Sequence, residues 1–359
     1  MAFLEFKNVR IAGMAAGVPK HISSNLHPDI EDNISSDYAP DEFVKTTGVE
    51  ERRTSNTLCT SDLCYSAAEK LITDLGWDKK DIEGLLFVSQ TPDYILPATA
   101  CILQDRLGLS KECYATDMSI GCSGWLYGMS TLAALVASGG IRKALLMVGD
   151  AKGRVHGKRN PLFGSAGTVT AIEYHEGSSP LQFHLGTDGS GYDAIITPDG
   201  GSRNQISQSS FNLYEFEGKK IHRLQSRMKG MDVFSFGITT APKSIKKLGE
   251  YFGFNYQNAD YYIFHQANLK MNDFIVKKLK LEIEKVPNSL RYFGNTNGAS
   301  IPMTIVTQLK EKVSTSLKLI CCGFGVGLSW GSLYFETDEN IIISDLVELN
   351  DSETSNYVV

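Results

Sequence analysis

Three short segments, far apart in the chain, supply a cysteine, a histidine and an asparagine. Cys122 lies in Gly121-Cys122-Ser123-Gly124, and His265 in Phe264-His265-Gln266-Ala267-Asn268. Asn295 lies in Gly294-Asn295-Thr296-Asn297-Gly298-Ala299-Ser300. Cys122 follows a strand-like run and opens an apolar helical stretch. A helix N-terminus favours negative charge, and a thiol there can fall to a pKa of roughly 3.5–7.5. The flanking glycines allow a sharp turn and a close backbone approach. His265 ends an apolar strand, where a neutral imidazole can donate its Nε2–H to a developing oxyanion. Singly, each residue has a plainer reading: a small buried hydrophobe, a solvated strand end, a turn asparagine. In this order, 143 and then 30 residues apart, they form a thiol nucleophile served by an imidazole and an amide. That set suits carbon–carbon bond formation on thioesters.

Elements of alternating type must hold these residues. Val9 to Gly13 reads as a strand, 59–76 as a helix, and Gly84 to Ser89 as a buried strand. Pro97 to Leu107 reads as a helix with proline in its first turn. Cys113 to Met118 is strand-like, Cys122 to Ala137 an apolar helix stopped by Gly139-Gly140, and Lys143 to Gly149 a nearly all-apolar strand. A polar stretch, Lys152 to Asn160, precedes a turn that leads into the strand-like run through Ile172. Segment 186–204 is rich in Gly, Asp and Ser and reads as a loop. The order then repeats: helices over about 230–249 and 267–280, a strand from Asp260 to Phe264, a helix over about 300–312 and a strand over 317–322. This is α/β layering in two halves that share a rhythm rather than obvious identity. The divide is placed near residue 178, giving halves 1–178 and 179–337 and an acidic extension, 338–359. In that extension Ile341 to Leu349 reads equally as an edge strand or as disorder.

The chain has 359 residues, more than one core usually serves. Its net charge of −6 argues against nucleic-acid binding. Seven cysteines, an odd number with no zinc spacing, indicate buried thiols in a reducing compartment, with Cys122 the exception. No signal-peptide pattern and no membrane-length apolar run is present, so a cytoplasmic protein without a membrane span is expected.

These motifs, with Thr47-Gly48-Val49-Glu50-Glu51-Arg52, Pro97-Ala98-Thr99-Ala100, Ser190-Gly191, Met231-Asp232-Val233-Phe234 and Cys322-Gly323-Phe324-Gly325-Val326-Gly327, resemble the β-ketoacyl-acyl-carrier-protein synthase III family of the thiolase superfamily. The resemblance spans about residues 5–335. It implies a thiolase-like five-layered αβαβα fold, a homodimer, and acyl transfer onto Cys122 followed by condensation with a malonyl thioester. His265 and Asn295 then stabilise the enolate, and the backbone N–H groups of Cys122 and Val326 form an oxyanion hole. The family usually has glycine where Val326 stands. Leu96, Phe234, Phe324 and Asn268 are implied pocket residues. Lys270, Lys277, Lys278 and Lys243 are implied docking residues for coenzyme A or an acidic carrier protein, although such runs are also ordinary solvated helix faces. No metal or bound cofactor is implied; coenzyme A or carrier-protein thioesters are substrates.

Several positions depart from the family pattern. A Trp and an Arg that clamp the adenine of coenzyme A in housekeeping members have no counterpart in register in Glu42-Phe43-Val44-Lys45-Thr46, though Phe43 is a near substitute for the Trp. A Phe-Gly-Asp-Gly-Ala-Gly turn is replaced by Phe163-Gly164-Ser165-Ala166-Gly167-Thr168. Leu96 stands where a larger residue is common. A specialised paralogue with a differently shaped acyl pocket is therefore expected. Two readings compete: acyl transfer from Cys122 to an oxygen or nitrogen acceptor, and a silent partner subunit. The retained Cys122, His265 and Asn295 weigh against the second. A thiolase would need a second active cysteine, and Cys322 is out of phase for it.

Overall fold

The computed structural model describes residues 2–28, 39–151, 160–313 and 315–354. The polar stretch expected from Lys152 to Asn160 lies, apart from Asn160, outside the described residues.

In chain order the first half contains β1 (Ala2–Phe6), β2 (Val9–Pro19), β3 (Ile22–Ser24), α1 (Pro40–Thr47), β4 (Glu51–Arg53), α2 (Thr60–Leu75), β5 (Gly84–Val88), α3 (Thr99–Arg106), β6 (Tyr114–Met118), α4 (Gly124–Ala137), β7 (Lys143–Asp150) and β8 (Ala166–Tyr174). The second contains β9 (Leu181–Thr187), the short strands β10 (Ile195–Ile196), β11 (Tyr214–Phe216), β12 (Lys219–Ile221) and β13 (Arg227–Met228), then α5 (Gly230–Phe252), β14 (Tyr261–Phe264), α6 (Leu269–Leu279), α7 (Leu290–Phe293), α8 (Ser300–Gln308), β15 (Lys318–Gly325) and β16 (Ser329–Glu336). Two tail strands close the chain, β17 (Ile342–Ile343) and β18 (Val347–Leu349).

Two sheets carry the architecture. One runs β17-β2-β8-β7-β5-β6, with β18 also on β2; the other runs β1-β9-β16-β15-β14. Helices α2 and α3 cover the outer face of the first sheet, and α5 and α6 that of the second. Helices α4 and α8 lie between the sheets and touch both. The result is five αβαβα layers, the thiolase-like fold. Because α4 is sandwiched, it is apolar nearly all round: Trp125, Leu126, Met129, Leu132, Ala133 and Val136 are fully buried. Gly128 is where α4 comes closest to the sheet, since a Cβ there would lie 2.6 Å from Leu146.

Two expectations need correction, and strands at both termini cross the line drawn at residue 178. The helix expected from Cys122 begins at Gly124, so Cys122 sits in the turn before it. The segment 186–204, expected as a loop, contains the end of β9 and β10, which pairs with β13. Position 178 falls between β8 and β9, yet β1 joins the second sheet and β17 and β18 join the first. The tail is ordered as edge strands. Ile341, Ile343 and Leu349 are buried, and the tail's acids meet basic groups of the body: Arg53 with Glu348 at 2.6 Å, Arg10 with Asp338 at 3.0 Å, and Lys310 with Asp345. No helix among the described residues is long and apolar enough to cross a membrane.

Candidate active site

Strand β6 delivers the chain to Gly121, whose carbonyl accepts the Gly124 N–H at 2.7 Å and closes a tight turn around Cys122. Ser123 is the helix cap residue, but its hydroxyl caps nothing. It meets the Ser329 hydroxyl at 2.7 Å, and Ser329 in turn donates to the Val326 carbonyl at 2.7 Å. Since Ser329 spends its proton on Val326, Ser123 is the donor of the first bond. This relay ties the cysteine turn to the tip of the β15–β16 hairpin.

Strand β15 makes the second connection, through the period-2 alternation of strand side chains. Its glycines face Cys122: a Cβ on Gly325 would lie 2.7 Å from the Cys122 Sγ, and one on Gly323 would lie 3.0 Å from the Cys122 carbonyl. Cys322 and Phe324 pack in the opposite layer, beneath α5 and α6. Phe324 meets the His265 ring edge-on, with centroids 5.8 Å apart, and the Cys322 carbonyl accepts the His265 N–H at 2.8 Å. One strand thus sets both the cysteine and the histidine. Val326 follows Gly325 directly, so its peptide N–H is adjacent to the residue that touches the sulfur.

His265 is buried, and its Nδ1 lies 2.7 Å from the hydroxyl of Ser300, the first residue of α8. That hydroxyl also accepts the Gln266 N–H, at 3.3 Å. Its own proton is free to be directed at Nδ1, the arrangement that places the ring N–H on Nε2.

Asn295 is held on both sides by backbone: its N–H donates to the Leu162 carbonyl and its carbonyl accepts the Gly164 N–H. Its Oδ1 accepts the Asn297 N–H at 2.8 Å, and its Nδ2 donates to the Ala267 carbonyl at 3.3 Å. The amide orientation is fixed by these bonds, and one Nδ2 hydrogen is left to point elsewhere. The same loop packs on the cysteine turn, because a Cβ on Gly298 would lie 3.0 Å from the Gly121 carbonyl. The arrangement offers a thiol, an imidazole N–H and an amide N–H from three loops that pack on one another.

The other expected residues sit in varied settings. Phe234 packs edge-on to Phe274 at 5.5 Å, between α5 and α6. Phe324 is almost fully buried, with its ring edge-on to His265. Asn268 caps α6, accepting the Met271 N–H at 2.9 Å. Leu96 is 84% exposed, beside Ile95 at 92%, on the loop between β5 and α3. Lys243, Lys270, Lys277 and Lys278 are exposed on α5 and α6. Phe43 lies on α1, which packs on α6.

Sequence reasoning gave no role to Ser300, to the Ser123–Ser329 relay or to Asp150. Ser300 stands inside the Asn295 motif, so a signal existed. Asp150 is a lone acid ending an apolar strand. It is buried, and it accepts from the Gln90 N–H and from the Ser89 and Thr91 hydroxyls, at 2.9, 3.1 and 3.3 Å. Of the other cysteines only Cys64, Cys321 and Cys322 are buried, whereas Cys101 is exposed and Cys59 and Cys113 are half-buried like Cys122, against the expectation of buried thiols. Burial pushes the Cys322 thiol up to about 12 and also raises Cys64 and Cys321. Among the described residues no group of three or more His, Cys, Asp or Glu side chains could hold a metal ion.

Five layers with a cysteine, a histidine and an asparagine on loops packed together at their centre define a thiolase-like acyltransferase. Residues 116–189 match the family described as 3-oxoacyl-[acyl-carrier-protein] synthase III, and 251–337 match its C-terminal domain. The β-ketoacyl-[acyl-carrier-protein] synthase III of Geobacillus kaustophilus is 32% identical over 90% of this chain and 97% of its own. A putative 3-oxoacyl-[acyl-carrier-protein] synthase 3 of Campylobacter jejuni is 31% identical over 91% of this chain and 93% of its own. The crystal structure of a 3-oxoacyl-(acyl-carrier protein) synthase from Burkholderia xenovorans superposes with a TM-score of 0.89 at 35% identity, covering 97% of this chain and 99% of that one. The chain belongs to the 3-oxoacyl-acyl-carrier-protein synthase III family.

Proposed function

We propose that this chain forms a 3-oxoacyl thioester by decarboxylative condensation, with the acyl group carried on Cys122. The thiolate of Cys122 attacks an acyl thioester. The carbonyl oxygen takes up negative charge against the N–H groups of Cys122 and Val326, and the donor thiolate leaves. A malonyl thioester then binds. Its carboxylate carbon–carbon bond breaks, carbon dioxide departs, and the electron pair becomes an enolate. The enolate oxygen accepts hydrogen bonds from His265 Nε2–H and Asn295 Nδ2–H. Its carbon attacks the acyl-cysteine carbonyl, and the Cys122 thiolate is expelled, ready for another cycle.

The observation that carries this reading is the amide of Asn295, whose Oδ1 is spent on Asn297 so that a hydrogen-bond donor is presented. Simple acyl transfer has no enolate and no use for that donor. Lys270, Lys277, Lys278 and Lys243 then serve as the docking face for an acidic carrier protein, and coenzyme A or carrier thioesters are the substrates. A second copy of the chain covers the apolar tip at Ile95 and Leu96, as a homodimer in the cytoplasm.

Intact-mass spectrometry tests the proposal. Wild-type protein and Cys122→Ala are mixed with acyl thioesters, then with malonyl thioester. One acyl group gained by wild type alone, and discharged with carbon dioxide release, is expected. An adduct that malonyl thioester cannot discharge points to another acceptor, and no adduct from any donor points to a silent subunit.

A further inference from the structure

Several polar side-chain atoms around Cys122 are committed, apart from the His265 and Asn295 donors assigned to the enolate. Ser123 is used by Ser329, the Asn295 Oδ1 by Asn297, and Ser300 by His265. A further uncommitted group is the carboxamide of Gln90. It lies flat against Gly121, the residue before the cysteine: a Cβ on Gly121 would be 2.7 Å from Gln90 Oε1, 2.9 Å from Cδ and 3.2 Å from Nε2. Gln90 is exposed, and its side chain forms no hydrogen bond with the described residues.

Its backbone, in contrast, is fixed. The buried Asp150 carboxylate accepts the Gln90 N–H and the hydroxyls on either side of it, and the Thr91 hydroxyl also meets Thr60 at 2.8 Å. So an uncommitted donor–acceptor pair is held on a rigid stem at the shoulder of the nucleophile. Gln90 belongs to the first half, on the segment that continues to Ile95 and Leu96. His265 and Asn295 come from the second half. Gln90 thus shares a half with the nucleophile, which carries the acyl group.

We propose that Gln90 is a specificity-determining residue that selects acyl groups bearing a hydroxyl or carbonyl within the first few carbons of the thioester. Its Oε1 accepts from a substrate hydroxyl, or its Nε2 donates to a substrate carbonyl. This rests on the acyl-cysteine reading and adds the class of acyl group to it.

The test compares acylation of Cys122 by 3-hydroxybutyryl-CoA and butyryl-CoA, which differ by one oxygen, in wild type and in Gln90→Leu and Gln90→Glu. The readout is the ratio of the two loading rates, followed by intact mass, with melting temperature as the folding control. One lost hydrogen bond lowers the hydroxyacyl-to-acyl ratio in Gln90→Leu by roughly fivefold. Gln90→Glu, which keeps an acceptor, retains part of the preference. A ratio in Gln90→Leu within twofold of wild type, in a folded variant, overturns the assignment while leaving the acyl-cysteine chemistry intact. If both thioesters fail to load wild type while another acyl thioester does load Cys122, this inference falls and the acyl-cysteine reading stands; if no donor loads Cys122, both fall.

Discussion

Gly325→Ala isolates the contact between β15 and the nucleophile. Gly325 has no positive φ, so alanine fits its backbone, and the whole effect comes from space. The added methyl would lie 2.6 Å from the Cys122 Cβ and 2.7 Å from Sγ. Ordinary contact begins near ~3.5 Å, so the sulfur and the strand must part by about 0.8 Å. Overpacking of this size costs about 1–3 kcal/mol of stability. A misplacement approaching ~1 Å at a reacting atom lowers rate by about 10²-fold. The assay is the rate of Cys122 acylation by intact mass, run beside a melting curve. Gly140→Ala is the inert comparison, because a Cβ there would meet only Ser138, at 3.8 Å. Loading by folded Gly325→Ala at the wild-type rate would refute the claim that this strand sets the sulfur.

Three further outcomes are expected. Ser300→Ala removes the partner of His265 Nδ1; malonyl-dependent carbon dioxide release falls by roughly tenfold, less than the ~10²–10³ of losing a donor outright, while acyl loading falls less and the pH profile of the decarboxylation step shifts. His184 is lowered to about 4 from its usual 6.5, by burial first and then by Lys247. The unfolded chain takes up this proton first, so stability is full above pH 6.5 and is lost as pH falls toward 4, by at most about 3 kcal/mol; His184→Gln should lose less melting temperature than wild type between pH 7 and pH 5, and equal losses would count against it. Deleting residues 338–359 removes the buried Ile341, Ile343 and Leu349 and bares the edge of β2, costing about 4 kcal/mol or more at roughly 1.5–3 kcal/mol per side chain; a truncated chain that melts with the full one would show that the strap contributes nothing.

The sequence determined the local facts. Apolar runs of strand length, α4's apolar stretch and the glycines around Cys122 each follow from neighbours along the chain, where periodicity and turn preference act. The order of Cys122, His265 and Asn295 was legible for the same reason: each lies where an element ends. Tertiary structure decided what depends on distant partners. The acidic tail read equally as strand or disorder, because only β2's edge and the basic groups Arg10, Arg53 and Lys310 make it a strap. Phe324 is a pocket residue only as the family resemblance implies, while strand alternation, set by its partners, places it beneath α5 and α6, against His265. Ser300 gained its role from the fold of α8 onto β14, and Gln90 from the 30 residues between it and Gly121 closing to van der Waals contact. Such pairings are set by register and layer packing, which no local window of sequence contains.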